Sequence, residues 1–172
     1  MQTATLGPLV DVVDTFTAER SYSSGVIRPL TVCAVERWGL RTECQTPDDP
    51  FVEREANWLL PDAGLRLTQQ HPRSRHAKAG PTVLTAVRIQ RDTRAWRTTD
   101  LLLGLEIPGG TTARFFGADE YATAVAGRVI GATDASAALH AVHRAFEELS
   151  YCHHNVRIWL ARQGIVDAWP PR

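Results

Sequence analysis

Two acidic residues on one face of a predicted strand have types and a spacing that suit catalysis. The stretch Ala95–Ile107 predicts a long strand. Asp100 and Glu106 share a face of it because alternate side chains of a strand project to the same side. Gly104 lies between them on that face, and we expect it to leave open space. Carboxylates in this arrangement can act as general acid and base, or hold Mg²⁺ or Mn²⁺ through oxygen ligands.

Two more carboxylates follow the next predicted strand. Asp119 and Glu120 stand in the first turn of a predicted helix, where negative charge suits the helix dipole. We expect them near the same end of the sheet as Asp100 and Glu106, which gives four candidate metal ligands, with Asp100 and Glu106 as the catalytic pair. The alternative is an ordinary solvated face with charges at strand ends.

A basic segment over residues 71–81 is bounded by two prolines and predicts an exposed loop. Its cations can neutralise phosphate oxygens, and Trp96 is a further candidate contact for a substrate. The alternative is a solvated loop with no ligand. The candidate substrate-binding residues are Arg73, Arg75, Lys78 and Trp96.

Histidines cluster in the predicted C-terminal helices, with His143 and Glu147 at i, i+4 and His140 one turn earlier. The spacing lacks the HExxH pattern of zinc proteases, so we interpret these histidines as exposed or capping residues. GxSxG, P-loop and GxGxxG motifs are also absent, which disfavours an α/β-hydrolase, a P-loop NTPase and a Rossmann dehydrogenase.

Composition narrows the function classes further. The 172 residues carry nineteen basic and nineteen acidic side chains, and the zero net charge argues against a general nucleic-acid binder. No apolar run reaches the length of a membrane span. The N-terminus lacks the features of a signal peptide, so we expect a cytoplasmic protein. Three cysteines without metal-ligand spacing predict reduced thiols.

Hydrophobic periodicity changes after Gly117, from alternation to a helical repeat. Strands first and helices last predict an α+β fold: an antiparallel β-barrel or strongly curved sheet followed by two or three C-terminal helices. We expect one domain over 1–172, with the barrel at 1–116, the helices at 117–164 and a tail at 165–172. The predicted strands are 10–18, 29–38, 40–44, 58–60, 65–68, 82–89, 95–107 and 111–116.

The helical region predicts three segments. The first covers 118–129, and the second begins at a cap supplied by Thr133 or Asp134. The third covers 156–162 and stops at Gly164. Along the second helix an apolar stripe is expected at Leu139, Val142, Phe146 and Leu149.

The segment 82–149 resembles the FomD-like family of barrel phosphohydrolases. The resemblance rests on the runs TVLTAVRI, DLLLGLEI, PGG, TTARFFGADEY and an Ala-rich second helix. It implies a barrel in which acidic residues hold Mg²⁺ or Mn²⁺ for hydrolysis of nucleoside phosphates or cytidylyl-phosphonates. Family patterns of the form Tyr-x-Asp, Asp-Leu-x-Leu-Asp and Asp-x-Asp-Glu-Leu supply those acids.

This chain departs from the family pattern at three acidic positions. Asp100 matches the first acid of the second strand motif, but Gly104 stands at its second acid. The acid of the first strand falls near Thr85, and Gly117 replaces the first acid of the helix start. Asp119 and Glu120 remain. The resemblance therefore implies a metal site with about half its ligands, unless Glu106 substitutes.

Two other functions stay open on the sequence. A metal-independent barrel, a cyclase, isomerase or binding protein, would take a hydrophobic secondary metabolite in a pocket lined by Trp58, Trp96 and Phe115. An acidic, hydrated pocket favours the phosphohydrolase, and a dry aromatic pocket favours this alternative. A third function is a partner domain that docks through Trp169 in the tail, and a homo-oligomer is one form it would take.

Overall fold

Eight antiparallel strands close into a barrel, and three helices follow them. The computed structural model describes residues 9–74, 76–78, 80–109 and 111–166. Neighbours in sequence pair from β1 to β9, and β1 also pairs with β8, which closes the barrel. The strands are β1 (Val10–Asp14), β2 (Glu19–Ser21), β3 (Ile27–Glu36), β4 (Gly39–Gln45), β5 (Val52–Leu60), β6 (Leu65–Pro72), β7 (Thr82–Arg91), β8 (Ala95–Ile107) and β9 (Arg114–Phe116). The helices are α1 (Ala118–Ala126), α2 (Ala132–Tyr151) and α3 (Val156–Arg162). The predicted α+β fold is confirmed.

The main apolar core lies outside the barrel, between the sheet and the helices. α2 packs on β7 and β8, and α1 packs on β8. The predicted apolar face of β8 is the face that the helices cover, and all four of its residues are buried there: Leu101, Leu103, Leu105 and Ile107. Helix burial and closure of the barrel thus fix the opposite face of β8 as the one that looks into the barrel.

The inner face of the barrel is polar over much of its length. Arg20 on β2 contacts Glu55 on β5, and Arg66 on β6 contacts Asp11 on β1. These strand pairs are not neighbours in the sheet, so the contacts run across the interior. A smaller apolar cluster of Val13, Leu40, Leu59 and Trp96 adjoins these charges, since Val13 and Leu59 line one small cavity with Asp11, Arg20 and Arg66.

Several predicted element bounds were wrong, and the polar interior explains two of them. β5 begins at Val52 and β6 ends at Pro72, whereas the sequence predicted short strands at 58–60 and 65–68. Glu55 and Asn57 break the apolar alternation of β5 because they face a charged interior. The predicted loop 71–81 loses its first two residues to β6, and β2 was not predicted as a separate strand.

The helix ends also differ from the prediction. α1 ends at Ala126, three residues early, because Arg128 takes a left-handed φ of 59° and the N–H of Val129 bonds back to the carbonyl of Ala124. α2 begins after Gly131, without a side-chain cap. Asp134, a predicted cap, instead contacts Arg88 on β7 at 2.5 Å.

The buried face of α2 differs from the predicted apolar stripe, because Leu139 lies outside it. Leu139 is 52% exposed, whereas small residues of α2 face the sheet, namely Ala135, Ala138, Ala141 and Ala145. Close approach of a helix to a sheet favours such short side chains. Val142 and Leu149 are buried as predicted, and Phe146 is half-buried.

Two smaller expectations concern the cysteines and the chain ends. The three cysteines are free thiols. Ile165, the first residue of the predicted tail, is buried, while Trp169 lies outside the described residues. Among the residues described, no helix is both long and apolar enough to cross a membrane.

Candidate functional site

A cleft opens at the mouth of the barrel where β8 changes its partner strand. Residues 95–99 of β8 pair with β1, and Gly104 to Glu106 pair with β9 on the same edge. Between these two pairings, Asp100 and Leu102 lie at an irregularity of the β7–β8 ladder, and Leu102 has a left-handed φ of 67°. The gap leaves the inner face of β8 accessible beside Asp100.

The cleft has a volume of about 620 Å³, and both polar and apolar side chains line it. β6, β7 and β8 supply its walls, and the start of α1 supplies its rim. Four aliphatic or aromatic side chains form an apolar part: Pro81, Val83, Leu102 and Phe116. Gly117 and six polar side chains form the rest, and those side chains are Arg66, Thr68, Gln70, Thr85, Asp100 and Glu120.

Asp100 is held in place by two hydrogen bonds. Its Oδ1 accepts the backbone N–H of Leu102 at 2.7 Å, and its Oδ2 accepts Nη2 of Arg66 at 2.9 Å. Its side chain is 15% exposed. The residue predicted as the first catalytic acid therefore lines the cleft with both oxygens fixed in direction.

A charged network extends from Asp100 into the barrel. Arg66 contacts Asp100 and Asp11, and Arg20 contacts Asp11 at 2.6 Å and Glu55 at 2.9 Å. Three carboxylates thus face two guanidinium groups. This network of five groups carries one excess negative charge when all of them are ionised.

Neighbouring positive charges and hydrogen bonds lower the pKa of Glu55 despite its burial. Burial raises the pKa of Glu55, but the Arg20 charge, the Asn57 amide and the Arg66 charge together outweigh burial, and the net pKa lies below its usual value. Asn57 donates to Glu55 at 2.9 Å and accepts from the Thr68 hydroxyl at 2.8 Å. Thr68 thereby links the network to the lining of the cleft.

The carboxylates predicted as ligands are not all brought together. Glu120 lines the cleft with Asp100. Glu106 pairs with Val83 and contacts Arg114 at 3.2 Å, whereas Asp100 pairs with Val87. Val83 and Val87 are four positions apart on β7, which at about 3.3 Å per residue separates Glu106 from Asp100 by about 13 Å. Asp119 is exposed and is not among the residues that line the cleft.

Gly104 does not leave the open space that the sequence predicted. A Cβ built on Gly104 would lie 2.3 Å from the carbonyl oxygen of Leu84 and 2.6 Å from the ring of Phe116. The Phe116 ring fills the place above this glycine, and it lines the cleft. Gly104 is therefore required for close packing of two strands and an aromatic ring.

Gly117 is under a similar constraint. It has a left-handed φ of 78°, and a Cβ there would lie 1.8 Å from the carbonyl oxygen of Leu102. Two of the three positions at which this chain lacks an acid that the family resemblance implies, Gly104 and Gly117, are thus packed against backbone. Thr85, the third such position, pairs with Gly104 and lines the cleft as a hydroxyl. A carboxylate at 104 or 117 does not fit this backbone.

The predicted substrate-binding residues lie in three different settings. Arg73 donates to the carbonyls of Thr46, Asp49 and Val52, so it fastens the β4–β5 loop. Lys78 is exposed in the β6–β7 loop, which joins Gln70 and Pro81 at the rim of the cleft. Arg75 lies outside the described residues.

The aromatic residues predicted to contact a ligand lie in packed clusters or on the helix side. Trp96 is buried with Val13, Leu40 and Leu59. Trp58 is buried in the main core. Phe115 packs against Phe146 of α2 in a tilted arrangement, with ring centroids 4.9 Å apart. Phe116 is the aromatic residue that lines the cleft. Its position there follows from its pairing with Gly104 on β8, which the sequence did not predict.

The histidines of α2 remain outside the cleft. His140 and His143 are exposed, and His143 contacts Glu147 at 3.4 Å. Among the described residues no group of three or more His, Cys, Asp or Glu side chains is placed to hold a metal ion. The residues that sequence reasoning missed are Arg66, Thr68 and Gln70, whose polar alternation along β6 was the available signal.

The fold is shared with a bacterial protein of known structure. A protein from Rhodococcus sp. RHA1, described as a "protein of unknown function DUF402", superposes with a TM-score of 0.88 and 24% sequence identity. The match covers 95% of this chain and 99% of that one. No protein-family model matches the sequence, and no curated protein matches it. The comparison establishes the barrel-and-helices fold.

Proposed function

We propose that the chain is a metal-assisted phosphohydrolase that acts on a phosphorylated small molecule in the mouth of the barrel. The observation that carries this proposal is the set of charged side chains in the cleft, where Asp100, Glu120 and Arg66 line one space of about 620 Å³. A volume of this size suits a small-molecule ligand. The excess of carboxylate over guanidinium in the network beneath it favours a bound cation.

The donor set fits a divalent cation that shares its coordination with the substrate. Mg²⁺ is commonly held by one or two carboxylates together with substrate phosphates. Asp100 and Glu120 supply two carboxylates, and each Asp100 oxygen accepts a single hydrogen bond within the protein. Such a cation, when bound, would polarise a phosphoryl oxygen and lower the pKa of a water bound to it. Gly104 and Gly117 do not fit a cage built from protein ligands alone.

The remaining residues position the substrate. Arg66 is the guanidinium of the cleft and can stabilise charge on phosphate oxygens. Thr68, Gln70 and Thr85 offer hydrogen bonds to polar groups, while Val83, Leu102 and Phe116 provide an apolar wall for the part of the substrate without phosphate. Lys78 lies in the loop that joins two lining residues and would meet an anionic substrate on entry.

Binding of Mn²⁺ together with methylenediphosphonate, a non-hydrolysable diphosphate, tests the proposal. Isothermal titration calorimetry on the full chain is expected to show saturable binding of the pair to the wild type. Glu120→Gln should weaken that binding at least tenfold, because one of two carboxylate ligands is lost. Glu147→Gln removes a carboxylate from an exposed position of α2 and serves as the matched control; its affinity should be unchanged.

Turnover is the second readout. We expect the wild type to release inorganic phosphate from at least one member of a panel of phosphorylated small molecules in Mn²⁺ or Mg²⁺, and Asp100→Asn to abolish the release. Absence of both Mn²⁺–methylenediphosphonate binding and phosphate release in a folded wild type would refute the proposal. A metal-independent barrel would then become the hypothesis to test.

A further inference from the structure

Arg66 already neutralises one of the two carboxylates proposed to hold a cation. Its Nη2 donates to Oδ2 of Asp100 at 2.9 Å, and its Nη1 contacts Oδ2 of Asp11 at 3.4 Å. The side chains of Arg66 and Asp100 are each 15% exposed, so solvent screens this pair only in part. Without a bound ligand, the counter-ion of Asp100 is therefore Arg66.

The rest of the cleft gives a free divalent cation little to bind. Gly104 and Gly117 are packed against backbone, so they leave no room for further acids. Glu120 stands at the rim on the exposed first turn of α1. A cation entering alone would have to compete with Arg66 for Asp100 and would gain one more carboxylate at most from these positions.

One donor of Arg66 has no acceptor within the described part of the protein. Its Nε is buried and makes no hydrogen bond there. Buried donors usually have a partner, and guanidinium groups bind phosphate oxygens through two parallel N–H donors. Arg66 therefore has hydrogen-bonding capacity beyond its two carboxylate contacts. An anionic oxygen in the cleft that bound this guanidinium would draw it away from Asp100.

We propose that Arg66 is the resident counter-ion of Asp100 and makes cation binding depend on the anionic ligand. The cleft then takes Mn²⁺ or Mg²⁺ only together with a diphosphate-like group, which occupies Arg66 and supplies oxygens to the metal. This inference rests on the proposed function, since it concerns how the same site takes its metal. Arg66 acts here as a positioning residue that decides when Asp100 is available.

The test measures Mn²⁺ binding by electron paramagnetic resonance, with and without methylenediphosphonate. For the wild type we expect Mn²⁺ alone to bind at least tenfold more weakly than Mn²⁺ with the diphosphonate. Arg66→Met should bind Mn²⁺ alone at least tenfold more tightly than the wild type, because Asp100 loses its counter-ion while Asp11 keeps Arg20. Arg66→Lys keeps the charge and should show no such gain.

The double variant Arg66→Met/Asp100→Asn identifies the carboxylate responsible, and it should lose the gain of the single variant. Circular dichroism confirms that each variant is folded, and Arg66→Gln replaces Arg66→Met if the apolar variant does not fold. A folded, uncharged variant at position 66 that gains no Mn²⁺ affinity overturns the inference.

Two further outcomes separate this inference from the proposed function. A wild type that binds Mn²⁺ equally well with and without methylenediphosphonate overturns the role of Arg66 and leaves the proposed function standing. A wild type that binds neither form counts against the proposed function. In that case a gain of Mn²⁺ binding in Arg66→Met still supports Arg66 as the counter-ion of Asp100.

Discussion

The two faces of the sheet formed by β5 to β8 differ in chemistry: the outer face is apolar, and the face toward the barrel interior is charged. The face toward the helices is apolar and buried, with Leu84, Leu105 and Leu67 fully inaccessible to solvent. The face toward the barrel interior carries Arg66, Glu55 and Asp100 in one charged network. The protein therefore places its largest hydrophobic core outside the barrel and a charged network inside it.

This difference separates stability from ligand binding. The outer face gains free energy by removing apolar area from water beneath α2, at roughly 25 cal/mol per Å². The inner face leaves a cleft with charged side chains that opens at the break between β1 and β9. Changes on the outer face should affect folding, and changes at the cleft should affect ligands. The buried charges of the inner face should affect both.

The largest effect is expected for Arg20, which holds the interior network together. Arg20→Met leaves Asp11 and Glu55 without their closest counter-ion inside the barrel. Breaking a buried ion pair from one side costs about 3–5 kcal/mol, and urea denaturation measures that loss in the free energy of unfolding. Arg94→Met, which breaks the exposed pair with Asp14, should cost about 1 kcal/mol or less. Equal losses in the two variants would mean that the interior network is as weakly coupled as a surface pair.

On the outer face, Leu105→Ala should destabilise the protein by about 2–5 kcal/mol, because it leaves a cavity between β8 and the helices. Leu105 is fully buried in the main core. Leu139→Ala is the matched control, since Leu139 is 52% exposed on α2, and its cost should stay within about 0.5 kcal/mol. Thermal or urea unfolding measures both. A small cost at Leu105 would contradict the placement of the main core outside the barrel.

Gly104 tests the boundary between the two faces. Gly104→Ala brings a Cβ within 2.3 Å of the Leu84 carbonyl oxygen and 2.6 Å of the Phe116 ring. We expect a loss of about 1–3 kcal/mol from overpacking, together with displacement of Phe116 in the cleft. Gly109→Ala meets no atom within 4 Å and is the control. If Gly104→Ala is as stable as Gly109→Ala, the close packing of Phe116 on β8 is not required.

The smallest effect is a pH dependence that reports on Glu55 alone. Its folded pKa is lowered, so its ionisation stabilises the fold above the unfolded pKa, near 4.5, and that contribution is lost as the pH falls through the folded value. The wild type should therefore lose stability below about pH 4.5 more steeply than Glu55→Gln. Urea midpoints between pH 7 and pH 3 measure the two slopes. Parallel slopes would show that Glu55 gains no net stabilisation from Arg20.

Much of the architecture follows from local pattern. β8 and α3 were predicted to the residue because their apolar spacing is regular and Gly164 follows the last helix. The same-face relation of Asp100 and Glu106 follows from strand parity, which the register with Val87 and Val83 keeps. β5 was predicted too short because Glu55 and Asn57 carry no apolar signal, and only their partners across the barrel explain them.

The cleft itself depended on contacts between residues far apart in sequence. Asp100 and Glu120 could be selected from the sequence as acids. Strand parity also selected Glu106, but its pairing with β7 places it about 13 Å from Asp100 along the strand. Arg66 gained its importance only when β6 was brought against Asp11 and Asp100. In the sequence, Gly104 and Gly117 indicated two lost metal ligands. In the structure, both glycines lie in close contact with backbone atoms.

The sequence by itself determined the order of strands and helices, the apolar face of β8 and the placement of Asp100 and Glu106 on its other face. Those features depend on periodicities of two and 3.6 residues, which neighbouring residues express locally. Tertiary structure decided which acids share a cleft, which guanidinium neutralises them and which glycines are packed. Closure of the barrel sets those relations, because it brings side chains of non-neighbouring strands within hydrogen-bond distance across the interior.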